Sequence, residues 1–98
     1  MRRVRLLRPA QAEIKAAAGW YEGKRDGLGV DFLAMLDEAL AFIAEASLAS
    51  PLWRADRDYR RRRMRRFPYM VVYRIEGGVV LVVAVAHERR TPGYWTER

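Results

Sequence analysis

Hydrophobic positions are densest between Tyr69 and Ala86, where almost every residue is β-branched, aromatic or aliphatic and Gly77-Gly78 divides the stretch in two. Gly-Gly accepts positive φ at both central turn positions, so the pattern predicts a two-residue β-hairpin with strands over residues 69–75 and 79–86. The second strand, VVLVVAVA, carries no polar residue on either face, which is how a strand covered on both sides reads. Helices upstream can cover one face. What covers the other is the first functional question the chain poses.

Before the hairpin the apolar period lengthens from two to nearly four. Residues 10–22 place Ile14, Ala17, Ala18 and Tyr21 on one helical stripe, with Pro9 suited to the first turn. Residues 30–46 place Phe32, Leu36, Ala39, Leu40 and Ile43 on a second stripe, widened by Met35 and Phe42, with Asp31 near the positive end of that helix. The three glycines of residues 23–29 stop the first helix and turn the chain, which makes a helical hairpin. They do not form a phosphate loop, because a helix precedes them and no Lys-Ser or Lys-Thr opens the next helix.

Residues 3–7 alternate arginine with Val4 and Leu6 and read as an edge strand. Residues 50–58 read as a loop, with Trp53 either a lid on the core or an anchor for a partner. Residues 59–66 read as a basic strand pairing antiparallel with 69–75, with a bulge or bend at Phe67-Pro68 because Pro68 cannot donate to the ladder. Period two places Arg61, Arg63 and Arg65 on one face and Arg60, Arg62, Met64 and Arg66 on the other. After Pro92-Gly93 ends the last strand, Tyr94 and Trp95 are expected to fold back over the open sheet face. The predicted architecture is α+β, in the order β-α-α-β-β-β: a helical hairpin on a twisted, mainly antiparallel sheet, one domain over residues 1–98.

Composition narrows the chemistry. There is no cysteine, hence no disulfide or thiolate, which fits a reducing cytoplasm. The apolar run near the N-terminus is too short for a signal sequence or a membrane span. The net charge of +7 lies wholly in the second half of the chain, which suits an anionic partner surface or nucleic acid; a solvated arginine face is the plainer alternative. Asp37, Glu38 and Glu45 on the second helix read as exposed helix charge rather than paired catalytic carboxylates. No motif for a cofactor or a metal is present.

The order of elements, together with Trp20-Tyr21-Glu22, Gly29 and Phe32, Phe67-Pro68-Tyr69 followed by Val71, Val72 and Tyr73, and the closing His87, Arg90, Pro92, Tyr94 and Trp95, resembles the RelE/ParE superfamily of toxins from bacterial type II toxin-antitoxin systems. The resemblance spans nearly the whole chain. It implies a small toxin neutralised by a cognate antitoxin in a hetero-oligomer, with an antitoxin segment lying on apolar sheet and helix surfaces that the toxin leaves open.

Two branches of that superfamily act differently. A RelE-like enzyme cuts messenger RNA on the ribosome without a metal, and needs a base, an acid, cations and a stacking platform. Candidates are Arg61, Arg63, Arg65, Arg89 and Arg90 as cations, Tyr94 as stacker or acid, and His87 as the group titrating near neutrality. The lysine-rich catalytic set of RelE-type nucleases is not matched, because the only lysines are Lys15 and Lys24, and arginine is a poor base. A ParE-like toxin, which inhibits DNA gyrase (and, like the plasmid-borne members, stabilises plasmids), needs a binding surface instead. That surface is expected to include Arg61, Arg63, Arg65, Arg66, Arg89, Arg90, Trp53 and Trp95. The ParE-like branch is the favoured expectation. A third reading is a plain nucleic-acid-binding domain in which Phe67, Tyr69 and Tyr73 stack on bases.

Overall fold

The structure, a computed structural model, describes residues 1–54, 58–90 and 93–98, with the side chains of Trp53 and Arg54 also outside the description. The elements are β1 (Val4–Leu6), α1 (Arg8–Lys24), α2 (Leu28–Glu45), β2 (Leu52–Arg54), β3 (Tyr59–Arg63), β4 (Tyr69–Glu76) and β5 (Val79–His87). They form a five-stranded sheet in the order β1-β5-β4-β3-β2 with the helical hairpin on one face. β1 runs parallel to β5 and the other neighbours are antiparallel. The α+β expectation holds, with one addition. β2 is a strand where the sequence reads as loop, because three residues are too few to display alternation and its pairing with β3 is made through the backbone.

β4 and β5 are joined through Gly77 and Gly78 at φ of 58° and 77°, the positive pair that a two-residue hairpin turn of this twist needs. Pairing runs in register from Glu76↔Val79 to Tyr73↔Val82, then resumes at Val72↔Ala84, so Val83 is an extra residue bulged out of β5. The bulge switches the faces of β5. Val80 and Val82 lie in the helix-side core before it, and Val85 takes that side after it, while Val83, Ala84 and Ala86 belong to the opposite cluster. A strand of uniform valine and alanine tolerates the switch because both faces are equally apolar.

On the helix side the core is centred on four rings. Tyr21 of α1 stacks on Phe32 of α2 at 5.5 Å and meets Phe67 edge-on at 4.8 Å, and Phe32 meets Tyr69 edge-on at 5.2 Å. The bend at residues 65–68 delivers Phe67 into this cluster, which is what the Phe-Pro-Tyr sequence accomplishes. β3 accordingly ends at Arg63, before the predicted 66, and Arg66 sits at a positive φ of 69°. Arg65 therefore leaves the face it was expected to share with Arg61 and Arg63 and reaches Glu38 of α2 at 3.0 Å.

The two helices approach closely where Gly29 faces α1. A Cβ at Gly29 would stand 2.6 Å from the carbonyl oxygen of Ala18 and 2.9 Å from the Glu22 carboxylate. That carboxylate accepts hydrogen bonds from the backbone N–H groups of Gly27 and Gly29, each at 2.9 Å, and so caps the start of α2 from the end of α1. The Gly27 and Gly29 bonds hold the Glu22 carboxyl below the usual carboxylate range.

Two outcomes follow from this junction. Gly29→Ala will destabilise the fold by about 1–3 kcal/mol through the backbone clash, whereas Gly19→Ala, where a Cβ meets nothing within 4 Å, will stabilise α1 by about 1 kcal/mol; paired thermal melts check the signs. Because Glu22 titrates low in the fold, its contribution is complete above the ordinary glutamate value near 4.3 and is lost as pH falls through the depressed value. Glu22→Gln will thus flatten the acid limb of a stability-versus-pH curve relative to the unaltered chain.

Candidate partner-binding site

The second face of the sheet is closed by the chain itself. Trp95 is wholly buried against Tyr59, Met70, Val72, Val83, Ala84 and Ala86. Burying an indole removes on the order of 200 Å² from water, worth roughly 5 kcal/mol as an upper estimate at about 25 cal/mol/Å². The tail's fold-back is as the sequence suggests. The same burial corrects the expectation that Trp95 contacts a partner, and the expectation that an antitoxin covers this face: no surface of Trp95 is left to touch.

Polar contacts lock the tail in place, and they converge on Glu13, a residue the sequence reading passed over. Its carboxylate accepts from the Tyr94 hydroxyl, from Arg98 at 2.9 Å and from the backbone N–H of Val85 at 3.1 Å, with Arg90 at 3.8 Å. Arg98 also donates to the Val83 carbonyl at 2.9 Å, and its own carbonyl accepts from Arg74. The one signal for Glu13 in the sequence is its position: it lies one turn before Ala17 and two before Trp20, on a flank of α1 otherwise built from alanines.

Between α1, the end of β5 and this tail lies a concavity of about 570 Å³. Ala16, Ala17, Trp20, Tyr21, Pro68, Tyr69 and Val85 make its apolar lining, and Glu13, His87, Arg90 and Tyr94 its polar side. Trp20 stands on the rim with 59% of its surface exposed, more than a structural tryptophan needs, and Lys24 lies 4.7 Å over its ring. The structure thus unites three of the predicted residues, His87, Arg90 and Tyr94, in one place.

The Tyr94 phenol is bonded to Glu13 and lies beneath the Arg90 guanidinium at 3.9 Å, and burial first, then the bond to Glu13, pushes its pKa well above the ordinary tyrosine value. Nδ1 of His87 accepts from the Arg89 N–H at 3.1 Å and its ring meets Tyr69 edge-on at 5.1 Å.

The arginine run is dispersed. Arg60 donates to the Leu48 and Ser50 carbonyls, Arg62 stacks over Phe42 at 3.6 Å, Arg65 pairs with Glu38 and Arg66 with Asp31 at 3.5 Å, all toward α2 and its exit. Arg63 pairs with Glu88 at 2.7 Å, and together with Arg61 it holds the Glu88 carboxyl below the usual range. Arg89 is exposed beside them. The side chain of Trp53, read as a lid or an anchor, lies outside the description. Among the described residues no three His, Asp or Glu side chains gather to hold a metal, and no helix is long and apolar enough to cross a membrane.

The family model described as the ParE toxin of the type II toxin-antitoxin system parDE matches residues 4–92. The chain belongs to the ParE toxin family. The ParE branch, not the RelE branch, is therefore the one that the resemblance in the sequence leads to. The fold agrees: a chain of the chromosomal ParDE toxin-antitoxin system from P. aeruginosa superposes with a TM-score of 0.75 at 16% identity, over 89% of this chain and 96% of that one. No curated protein sequence matches significantly. As a ParE-family toxin the chain implies an antitoxin partner.

Tyr94 supplies a test of the site's geometry. In an alkaline absorbance titration, Tyr94→Phe will lose one ionisation, and the lost step will lie above the ordinary tyrosine value near 10. Since the folded pKa is raised, the stabilisation from keeping this phenol protonated is whole below that value and declines as pH rises past it.

Proposed function

We propose that this ParE-family chain arrests growth by inhibiting DNA gyrase in the cytoplasm, and that a cognate antitoxin bound in a hetero-oligomer neutralises it. Membership of the ParE family over residues 4–92 is the observation that carries this reading. The chemistry of the concavity supports it. Transfer of a phosphoryl group by a ribose hydroxyl needs a group that gives up a proton and one that takes it, and the Tyr94 phenol is bound to a carboxylate and raised in pKa, which suits it to packing. Arg90 and Tyr94 serve better as a charged and aromatic wall.

The partner surface follows the same logic. The helix-side core and the tail-covered face are both closed, and the concavity beneath Trp20 offers an antitoxin a seat for apolar side chains, with Arg90 on its wall and Lys24 over Trp20 to receive acidic residues.

Two readouts on the induced and purified toxin test the function. Supercoiling by purified gyrase will fall while messenger RNA ends in induced cells stay unchanged. His87→Ala and Arg90→Ala will leave gyrase inhibition within about tenfold, where loss of an acid or base from a nuclease costs about 100-fold or more. Codon-phased transcript cleavage with gyrase untouched would overturn the proposal in favour of a ribosome-dependent nuclease.

A further inference from the structure

β5 is longer than the strand beside it. β1 pairs with it only from Val80 to Val82, and the last such contact is the Leu7 N–H on the Val82 carbonyl at 3.1 Å. From there the chain enters α1, while β5 continues to His87. Among the described residues no strand pairs with this far half of β5 on the side away from β4. An apolar strand edge of this kind is a template for another chain.

Side chains occupy it. The Val83 carbonyl accepts from Arg98 and the Val85 N–H donates to Glu13, and Glu13 and Arg98 are bonded to each other at 2.9 Å. An acceptor from a helix and a donor from the tail thus meet one N–H and one C=O two residues apart, the pattern a neighbouring strand would present. The Val83 bulge twists the edge at the same place. Glu13 keeps only 14% of its side chain exposed, so a competing strand must displace a nearly buried, charge-assisted set of bonds.

We propose that the Glu13–Arg98 clasp closes the far edge of β5 to strand addition, so that the free chain does not pair with a second copy there and a partner engages the adjoining concavity through side chains instead. The clasp also carries Tyr94 and Arg90, so the device that guards the edge is the one that shapes the concavity's wall.

The test compares Glu13→Ala, Glu13→Gln and a core variant of matched thermal midpoint, Leu36→Val, by light scattering over a wide concentration range and by amide hydrogen exchange. Glu13→Gln keeps an acceptor for Val85 and will remain monomeric. Glu13→Ala will associate with rising concentration, and at the lowest concentration its Val85 amide will exchange at least about tenfold faster than in the unaltered chain. Should Glu13→Ala not fold, Arg98→Gln, which frees the Val83 carbonyl, must show the same association more weakly. A monomeric Glu13→Ala with its Val85 amide still protected overturns the proposal. So does equal association of Leu36→Val, which would assign the effect to lost stability. None of these readouts depends on the toxin's cellular target.

Discussion

A central strand with no polar side chain between Val79 and Ala86 has to be kept from water on two faces and, where its neighbour runs out, along one edge. The rest of this small fold can be understood as three answers to that demand. The helical hairpin covers one face through Phe32, Leu36 and Ile43, and the closing residues cover the other through Trp95. Glu13 and Arg98 cover the edge. The bulge at Val83 couples these answers, because it turns alternate valines from one cover to the other at the point where β1 ends.

Magnitudes rank the three. Burial of one indole, roughly 5 kcal/mol as an upper estimate, exceeds the about 1.5–3 kcal/mol of any one hydrogen bond in the half-buried Glu13–Arg98 set, so hydrophobic contact is the largest single term holding the tail down and the polar contacts set its register. The arginine-rich second half is to be judged on the same scale. Much of the run from Arg60 to Arg66 is engaged at the surface by the chain's own groups: carbonyls, the face of Phe42, and acidic residues of α2 and just past the end of β5. A net charge of +7 still leaves the molecule attractive to an acidic partner, through long-range field rather than through one basic strand.

This arrangement bears on how a ParE-family toxin meets its partners. The chain covers both faces of β5 and bonds its far edge with its own side chains, and on the proposed reading a second protein finds its anchor points in the concavity under Trp20. Its polar wall is pre-set, because Tyr94 and Arg90 are tied to α1 through Glu13. Preorganisation of that kind lowers the entropic cost of association.

Periodicity alone determined the two helices, the hairpin at Gly77-Gly78, the α+β class and the return of the aromatic tail, because each rests on local spacing or on an imbalance of apolar residues that has to be resolved somewhere. Whatever depends on which distant groups meet lay beyond it. The Val83 bulge is invisible in a strand whose faces are chemically alike, and β2 is too short to alternate. Arg65 changes sides because a bend ends β3 early. Glu13 becomes the centre of the site only once α1 is laid beside β5 and the tail crosses over both, bringing together residues 72 and 85 positions apart in the chain, a distance across which spacing carries no information.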